Sequence, residues 1–170
     1  RTTCGYGYID WVKSVIKHRN ALAEDSLLSS GAEGITELLD TGTLFIGDIS
    51  SLGITKQLFL DSGLKGVWFQ EHIGLYGDLN GCAHVAPLKK ISISAHAPHT
   101  TVPSLLIRIK QHTRQLGLPF SIHLAESHEE VEFLATGKGQ WAGLLKDRGI
   151  DACDGRKENR KDNRDFMDDF

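Results

Sequence analysis

The stretch Pro119-Phe120-Ser121-Ile122-His123-Leu124-Ala125-Glu126-Ser127-His128-Glu129-Glu130 decides how the remaining sequence is read. Phe120 to Leu124 is a short, mostly apolar run after a proline, with helical patterns on both sides, which is the composition of a buried strand. His123 and Glu126 stand three residues apart where that strand stops. Ser127, with Glu130 three residues on, forms a capping box that opens the next helix. The order is strand, His-x-x-Glu, cap, helix, and α/β folds of parallel strands place their chemistry at the carboxyl ends of strands. A neutral imidazole there can hold a metal, and a glutamate beside it can move a proton to a substrate. Taken alone, the pair fits a surface histidine and a capping carboxylate better. The other strand ends decide.

Working upstream, the spacing predicts strands near 90–96, 65–71 and 43–49, so that with 119–125 there are four. Lys90-Ile91-Ser92-Ile93-Ser94-Ala95-His96 alternates and ends on histidine. Gly66-Val67-Trp68-Phe69-Gln70-Glu71 ends on glutamate, and Thr43 to Ile49 is β-branched and apolar. Helical patterns intervene. Ile9, Trp11, Val12, Val15 and Ile16 recur at helical spacing, and a second run covers 23–39 with a bend expected near Ser29-Ser30-Gly31. Ser50-Ser51 can cap a helix over 54–60, and Thr101, followed by Pro103, can cap one carrying Leu105, Leu106 and Ile109. Trp141 to Leu145 makes a further short helix. Gly74 to Gly81 reads as a loop, and His72 and His84 as loop histidines. Strands alternating with helices imply a parallel sheet with right-handed crossovers. Glu71, His96 and His123 then converge on one rim, which packing alone does not explain.

Composition sets outer bounds. The 170 residues are 40% hydrophobic, enough for one domain, and the net charge of -3 leaves no basic footprint for nucleic acid. Cys4, Cys82 and Cys153 are odd in number and far apart, matching neither a disulfide framework nor a CxxC site, which fits a reducing cytoplasm. No apolar run approaches the roughly 20 residues of a membrane-spanning helix, and no signal pattern opens the chain, so no membrane partner is expected. The chain begins Arg1-Thr2-Thr3 without methionine, as if something preceded it. From Asp151 the sequence turns to mixed charge with few apolar residues, so 151–170 is expected to be a poorly ordered tail after a domain of 1–150.

Four segments carry a family likeness: Tyr8-Ile9-Asp10-Trp11-Val12, Gly42 to Asp48, Ser94-Ala95-His96-Ala97-Pro98-His99-Thr100, and Ile122 to Ser127 with Glu129-Glu130. They resemble the metal-dependent amidohydrolase superfamily, in its branch of cytosine deaminases, chlorohydrolases and adenosylhomocysteine-type deaminases. The resemblance implies an α/β fold, a partial (β/α)8 TIM barrel of about four to five βα units, with its site at the carboxyl ends of the strands. It implies His123 as a metal ligand and Glu126 as the catalytic carboxylate that contacts a heterocycle and shuttles protons. His96 is implied to face the substrate, and His99 and Glu71 are placed on the substrate side with it. The cofactor implied is a divalent metal, zinc before iron, that makes a hydroxide from bound water near neutral pH. The substrate implied is a small N-heterocyclic or nucleoside-like molecule.

The departures are as informative. The family's His-x-His pair is absent, and its later histidine and aspartate would lie beyond residue 150, so the ligand set is incomplete. The expectation is a piece of a C–N hydrolase lacking both ends of the barrel, inactive alone, with open sheet edges through which it can self-associate. The alternative is an inactive half-barrel acting only as a structural or interaction module.

Overall fold

In the computed structural model, residues 7–74 and 77–147 are described. The expected tail, Cys4 and Cys153 lie outside them. The chain divides into two compact units, one of residues 20–123 and one that joins 7–19 to 124–147 among the described residues. The helix α1 (Tyr8–Ala21) runs from the second unit into the first, and the elements that follow it are α2 (Glu24–Asp40), β1 (Phe45–Ser50), α3 (Lys56–Asp61), β2 (Lys65–His72), β3 (Ala83–Ala86), β4 (Lys89–Ala95), α4 (Pro103–Gln115), α5 (His128–Thr136) and α6 (Gln140–Asp147).

The apolar, β-branched runs do form a sheet in the unit of residues 20–123, in the order β1-β2-β4-β3. β1 pairs parallel with β2 and β2 parallel with β4, as the alternation of strands and helices requires. Side chains alternate across these strands. On the helix-bearing face Trp68 and Ile91 join Phe59 and Leu64 in a buried core, against Ile35, Leu38, Ile46 and Leu60. There Thr55 Oγ1 accepts from Trp68 Nε1 (3.1 Å) and donates to Asp48 Oδ2 (2.7 Å). Lys89 Nζ closes the end of α3 by donating to the carbonyls of Phe59 (3.0 Å), Leu60 (2.7 Å) and Ser62 (2.8 Å). A cation is favoured at a helix carboxyl end, where the last carbonyls lack partners. The opposite face of the same strands presents Ile49, Phe69, Glu71, Ser92 and Ser94.

Several expectations change. The 119–125 segment is not a strand. Pro119 has no N–H to give a ladder, Ala125 leaves the extended region at φ 56°, and the neighbouring place on β4 is taken by β3. What ties the segment to β4 is a bond from Ser92 Oγ to the Pro119 carbonyl (2.7 Å) and one from His123 N to the His96 carbonyl (2.8 Å). β3, antiparallel to β4, arises in the stretch that lacked periodicity, and it carries His84 as an exposed strand residue. His72 likewise ends β2 rather than lying in a loop. α2 runs unbroken through Ser29-Ser30-Gly31. Gly31 serves close packing there, since a Cβ would stand 3.1 Å from Leu58 Cδ1. Gly66, at φ +122°, lets β2 approach β1 where a Cβ would fall 1.9 Å from the Ile46 carbonyl oxygen. Val102, not Thr101, caps α4, with Pro103 in its first turn.

In the unit of 7–19 and 124–147, α5 and α6 pack together, and Ile9, Phe133, Trp141, Leu144 and Leu145 form the core with Tyr8, Val12, Leu134 and Ala142. The capping box forms as the sequence predicts. Ser127 Oγ accepts from Glu130 N (3.1 Å), and buried Glu130 accepts from the backbone N–H groups of Ala125 (3.2 Å) and Glu126 (2.8 Å). Gly137, left-handed at φ 69°, ends α5. No helix among the described residues is long and apolar enough to cross a membrane.

Candidate functional site

β2 and β4 deliver their last residues side by side, because the parallel register sets Glu71 opposite Ser94 and His72 opposite Ala95. Glu71 is buried, and His96 follows one residue past β4. The bond from His123 N to the His96 carbonyl brings the third residue in. The result is a connected group: His123 Nε2 lies 3.3 Å from Glu71 Oε1, the His123 and His96 rings meet edge-on with centroids 5.3 Å apart, and the His99 ring stands 6.2 Å from that of His96. The other Glu71 oxygen, Oε2, accepts from Ser51 Oγ at 2.6 Å. His96 Nδ1 hydrogen-bonds Thr100 Oγ1, whose hydroxyl reaches the Ala97 carbonyl at 3.2 Å.

Electrostatics divide the histidines. Burial, and secondarily the neighbouring His96, push the His99 pKa down to about 4, so His99 is neutral at physiological pH. It can donate or accept a proton in a hydrogen bond but carries no charge. Burial also lowers the pKa of His72, whose Nε2 has no hydrogen-bond partner among the described residues. A pocket of about 340 Å³ lies on the helix-bearing face, lined by Lys56, Trp68, Gln70, His72, Asp78 and neighbours, and Glu71, His96, His99 and His123 are not among its walls.

Of the residues the sequence singles out, Glu71, His96, His99 and His123 lie together in the unit of 20–123. Glu126 belongs to the other unit, three residues on in sequence. It is exposed, and its Oε2 accepts from Tyr8 Oη at 3.1 Å. Burial, then the charge of Glu126, push the Tyr8 phenol up to about 12, so Tyr8 stays a protonated donor to that carboxylate. Sequence reading assigned no such part to Tyr8, Thr100 or Ser51. Ser51 was expected to cap a helix, but α3 begins after Thr55 with no side-chain cap, and the hydroxyl serves Glu71.

A zinc site needs three or four protein donors. No group of three or more histidine, cysteine, aspartate or glutamate side chains able to hold a metal occurs among the described residues. His123 Nε2 and Glu71 Oε1, 3.3 Å apart, are donors of the kind such a site uses.

A buried carboxylate near the end of β2 and a histidine just past β4 stand where barrel folds of parallel strands place their sites. No protein-family model matches the sequence. The chain is 31% identical to an aminodeoxyfutalosine deaminase of Nitratiruptor sp., over 86% of this chain and 40% of that protein. It is 28% identical to an adenosine deaminase of Helicobacter pylori, over 79% of this chain and 36% of that one. Among solved structures, Helicobacter pylori aminofutalosine deaminase in complex with methylthio-coformycin is similar at a TM-score of 0.67 and 21% identity, over 86% of this chain and 38% of that one. An adenosine deaminase from Xanthomonas campestris with bound zinc is similar at a TM-score of 0.63 and 15% identity, over 87% and 38%. Over most of its length the chain is therefore similar in sequence to proteins named as deaminases and in fold to part of solved deaminase structures. It spans about 40% or less of the length of the relatives it matches, and its sheet corresponds to part of their (β/α)8 barrel.

Proposed function

We propose that this chain contributes part of the active site of a hydrolase that deaminates an N-heterocyclic, nucleoside-like substrate. The observation that carries the reading is the grouping of Glu71 near the end of β2, His96 just past β4 and His123 beside them, with His123 Nε2 3.3 Å from Glu71 Oε1. Its relatives are named for deamination of such compounds. In this reading water adds to the carbon bearing the amino group and ammonia leaves. Glu126 takes a proton from the attacking water and returns it to the departing nitrogen. His96 and neutral His99 hydrogen-bond the substrate, and Glu71 accepts from it. His123 is one ligand of a divalent metal, zinc before iron, which when bound supplies a hydroxide near neutral pH. The remaining ligands come from outside the described residues. An inactive structural module, the alternative, has no use for a buried carboxylate held against histidines at strand ends. In this reading residues 1–150 are the barrel part and 151–170 a tail.

The test is ammonia release from adenosine and 5-methylthioadenosine. It is run on the 170-residue chain and on this chain fused to the segments of the Nitratiruptor relative that it does not match. The chain alone is expected to hold no stoichiometric zinc after dialysis and to show no turnover. The fusion is expected to turn over, with Glu126→Gln slowing it about 10²–10⁴-fold and His123→Ala abolishing it. A zinc-loaded, active fusion indifferent to both substitutions would overturn the reading.

A further inference from the structure

The turn after β1 is built around Ser50, expected to cap a helix, and Gln70, to which the sequence assigned no part. Ser50 Oγ accepts from Gly53 N (3.2 Å), closing the turn, and Gly53 sits at φ +76°. Gln70, on the helix-bearing face of β2, spreads its Nε2 over the carbonyls of Ser50 (3.2 Å), Ser51 (3.2 Å) and Glu71 (3.4 Å). A Cβ at position 53 would lie 2.9 Å from Gln70 Oε1, so turn and amide fit closely. This bracket fastens the exit of β1 to the end of β2. Because Ser50 pairs with Gln70 in the register, the next residue, Ser51, falls beside Glu71. Its hydroxyl donates to Oε2 at 2.6 Å, a short bond of the charge-assisted kind.

We propose that Ser51 is a positioning residue for Glu71, held in place by the Gln70 bracket. It commits one carboxylate oxygen and aims the other, Oε1, at the His123 side of the cluster. An ionised carboxylate only accepts. Each carboxylate oxygen has two lone pairs, so with Oε2 anchored by Ser51, Oε1 on the His123 side keeps one to accept from a substrate N–H or O–H donor, such as a sugar hydroxyl or a ring N–H. The substrate part of this statement rests on the proposed deaminase function. The geometric part does not.

The experiment is a long-range 1H–15N spectrum of the histidine rings in the 15N-labelled 170-residue chain at about pH 8, where an ordinary imidazole is neutral. The His123 lines are assigned by their loss in His123→Gln. Glu71→Gln is expected to shift the His123 ring nitrogens, Ser51→Ala to shift them in the same direction, and Ser51→Thr, which keeps the hydroxyl, to leave them in place. The Trp68 indole N–H, bonded to Thr55, reports that each variant is folded. If Ser51→Ala does not fold, Gln70→Leu, which releases the bracket and keeps the hydroxyl, takes its place, with the same shift expected. His123 lines unmoved by Ser51→Ala or its substitute, or by Glu71→Gln, would overturn the proposal. Absence of ammonia release in the fusion experiment would sink the deaminase reading and leave these shifts untouched, so the two failures are distinguishable.

Discussion

The two faces of one sheet are made differently. The helix-bearing face is filled by Phe59, Leu64, Trp68 and Ile91, with Phe59 and Leu64 wholly buried. The opposite face carries Glu71, Ser92 and Ser94, all buried too, and leads to His96. Apolar burial stabilises in proportion to area and needs no partner. Buried polar groups stabilise only when each is hydrogen-bonded. The first face therefore holds the unit together, and the second takes part of that stability to keep reactive groups in place.

The largest expected effect lies on the first face. Phe59→Ala removes a ring that has no exposure and that also lies under the Lys89 ammonium, 5.3 Å from the ring centroid. A loss of about 3–5 kcal/mol is expected for a buried phenylalanine, read as the shift in the urea midpoint. A loss no larger than that of a polar-face variant would break the contrast between faces.

The next effect belongs to the polar rim and depends on pH. The folded pKa of His99 is near 4, below the ordinary value of 6.5, because burial disfavours its charged form. As pH falls, the unfolded chain takes up this proton first. The stabilisation is complete above pH 6.5 and is lost as pH falls toward 4, with a slope approaching 1.4 kcal/mol per pH unit between them. His99→Phe should flatten that part of the acid limb in denaturant titrations. An unchanged slope would mean that His99 does not stay neutral in the folded protein.

These two side chains also mark what was legible beforehand. The apolar face declares itself in composition, because β-branched and aromatic runs between helical patterns have few other places to go. β1, β2, β4 and the helices between them follow from it. The polar rim was legible as residue types at strand ends for Glu71 and His96, whereas His123 was named from a strand that does not form. Register was not legible. Ser51 reaches Glu71 only because Ser50 pairs with Gln70, and no local pattern encodes a pairing across 20 residues. β3 was missed because His84 and its neighbours are exposed on both faces and show no alternation. The segment at 119–125 was misread because an apolar run after proline has strand composition whether or not a partner edge is open.

The smallest expected effects sharpen the comparison most, because they come from two serines on one strand and one face. Ser92 is 0% exposed and its hydroxyl donates to the Pro119 carbonyl at 2.7 Å. Ser94 is 1% exposed, and its hydroxyl has no hydrogen-bond partner among the described residues. Removing the first hydroxyl loses a bond and leaves the half-buried Pro119 carbonyl short of a donor, a cost of about 1–3 kcal/mol. Removing the second takes away a polar group that was desolvated without return, so Ser94→Ala should be neutral or slightly stabilising, within about 0.5 kcal/mol of zero or above it. Both substitutions delete one atom and keep the backbone, so cavity differences are small beside the hydrogen-bond term. Urea titrations of the two variants side by side give the difference directly. A cost for Ser94→Ala equal to that for Ser92→Ala would show that Ser94 does have a partner, and that the polar face is satisfied throughout rather than left short beside Glu71.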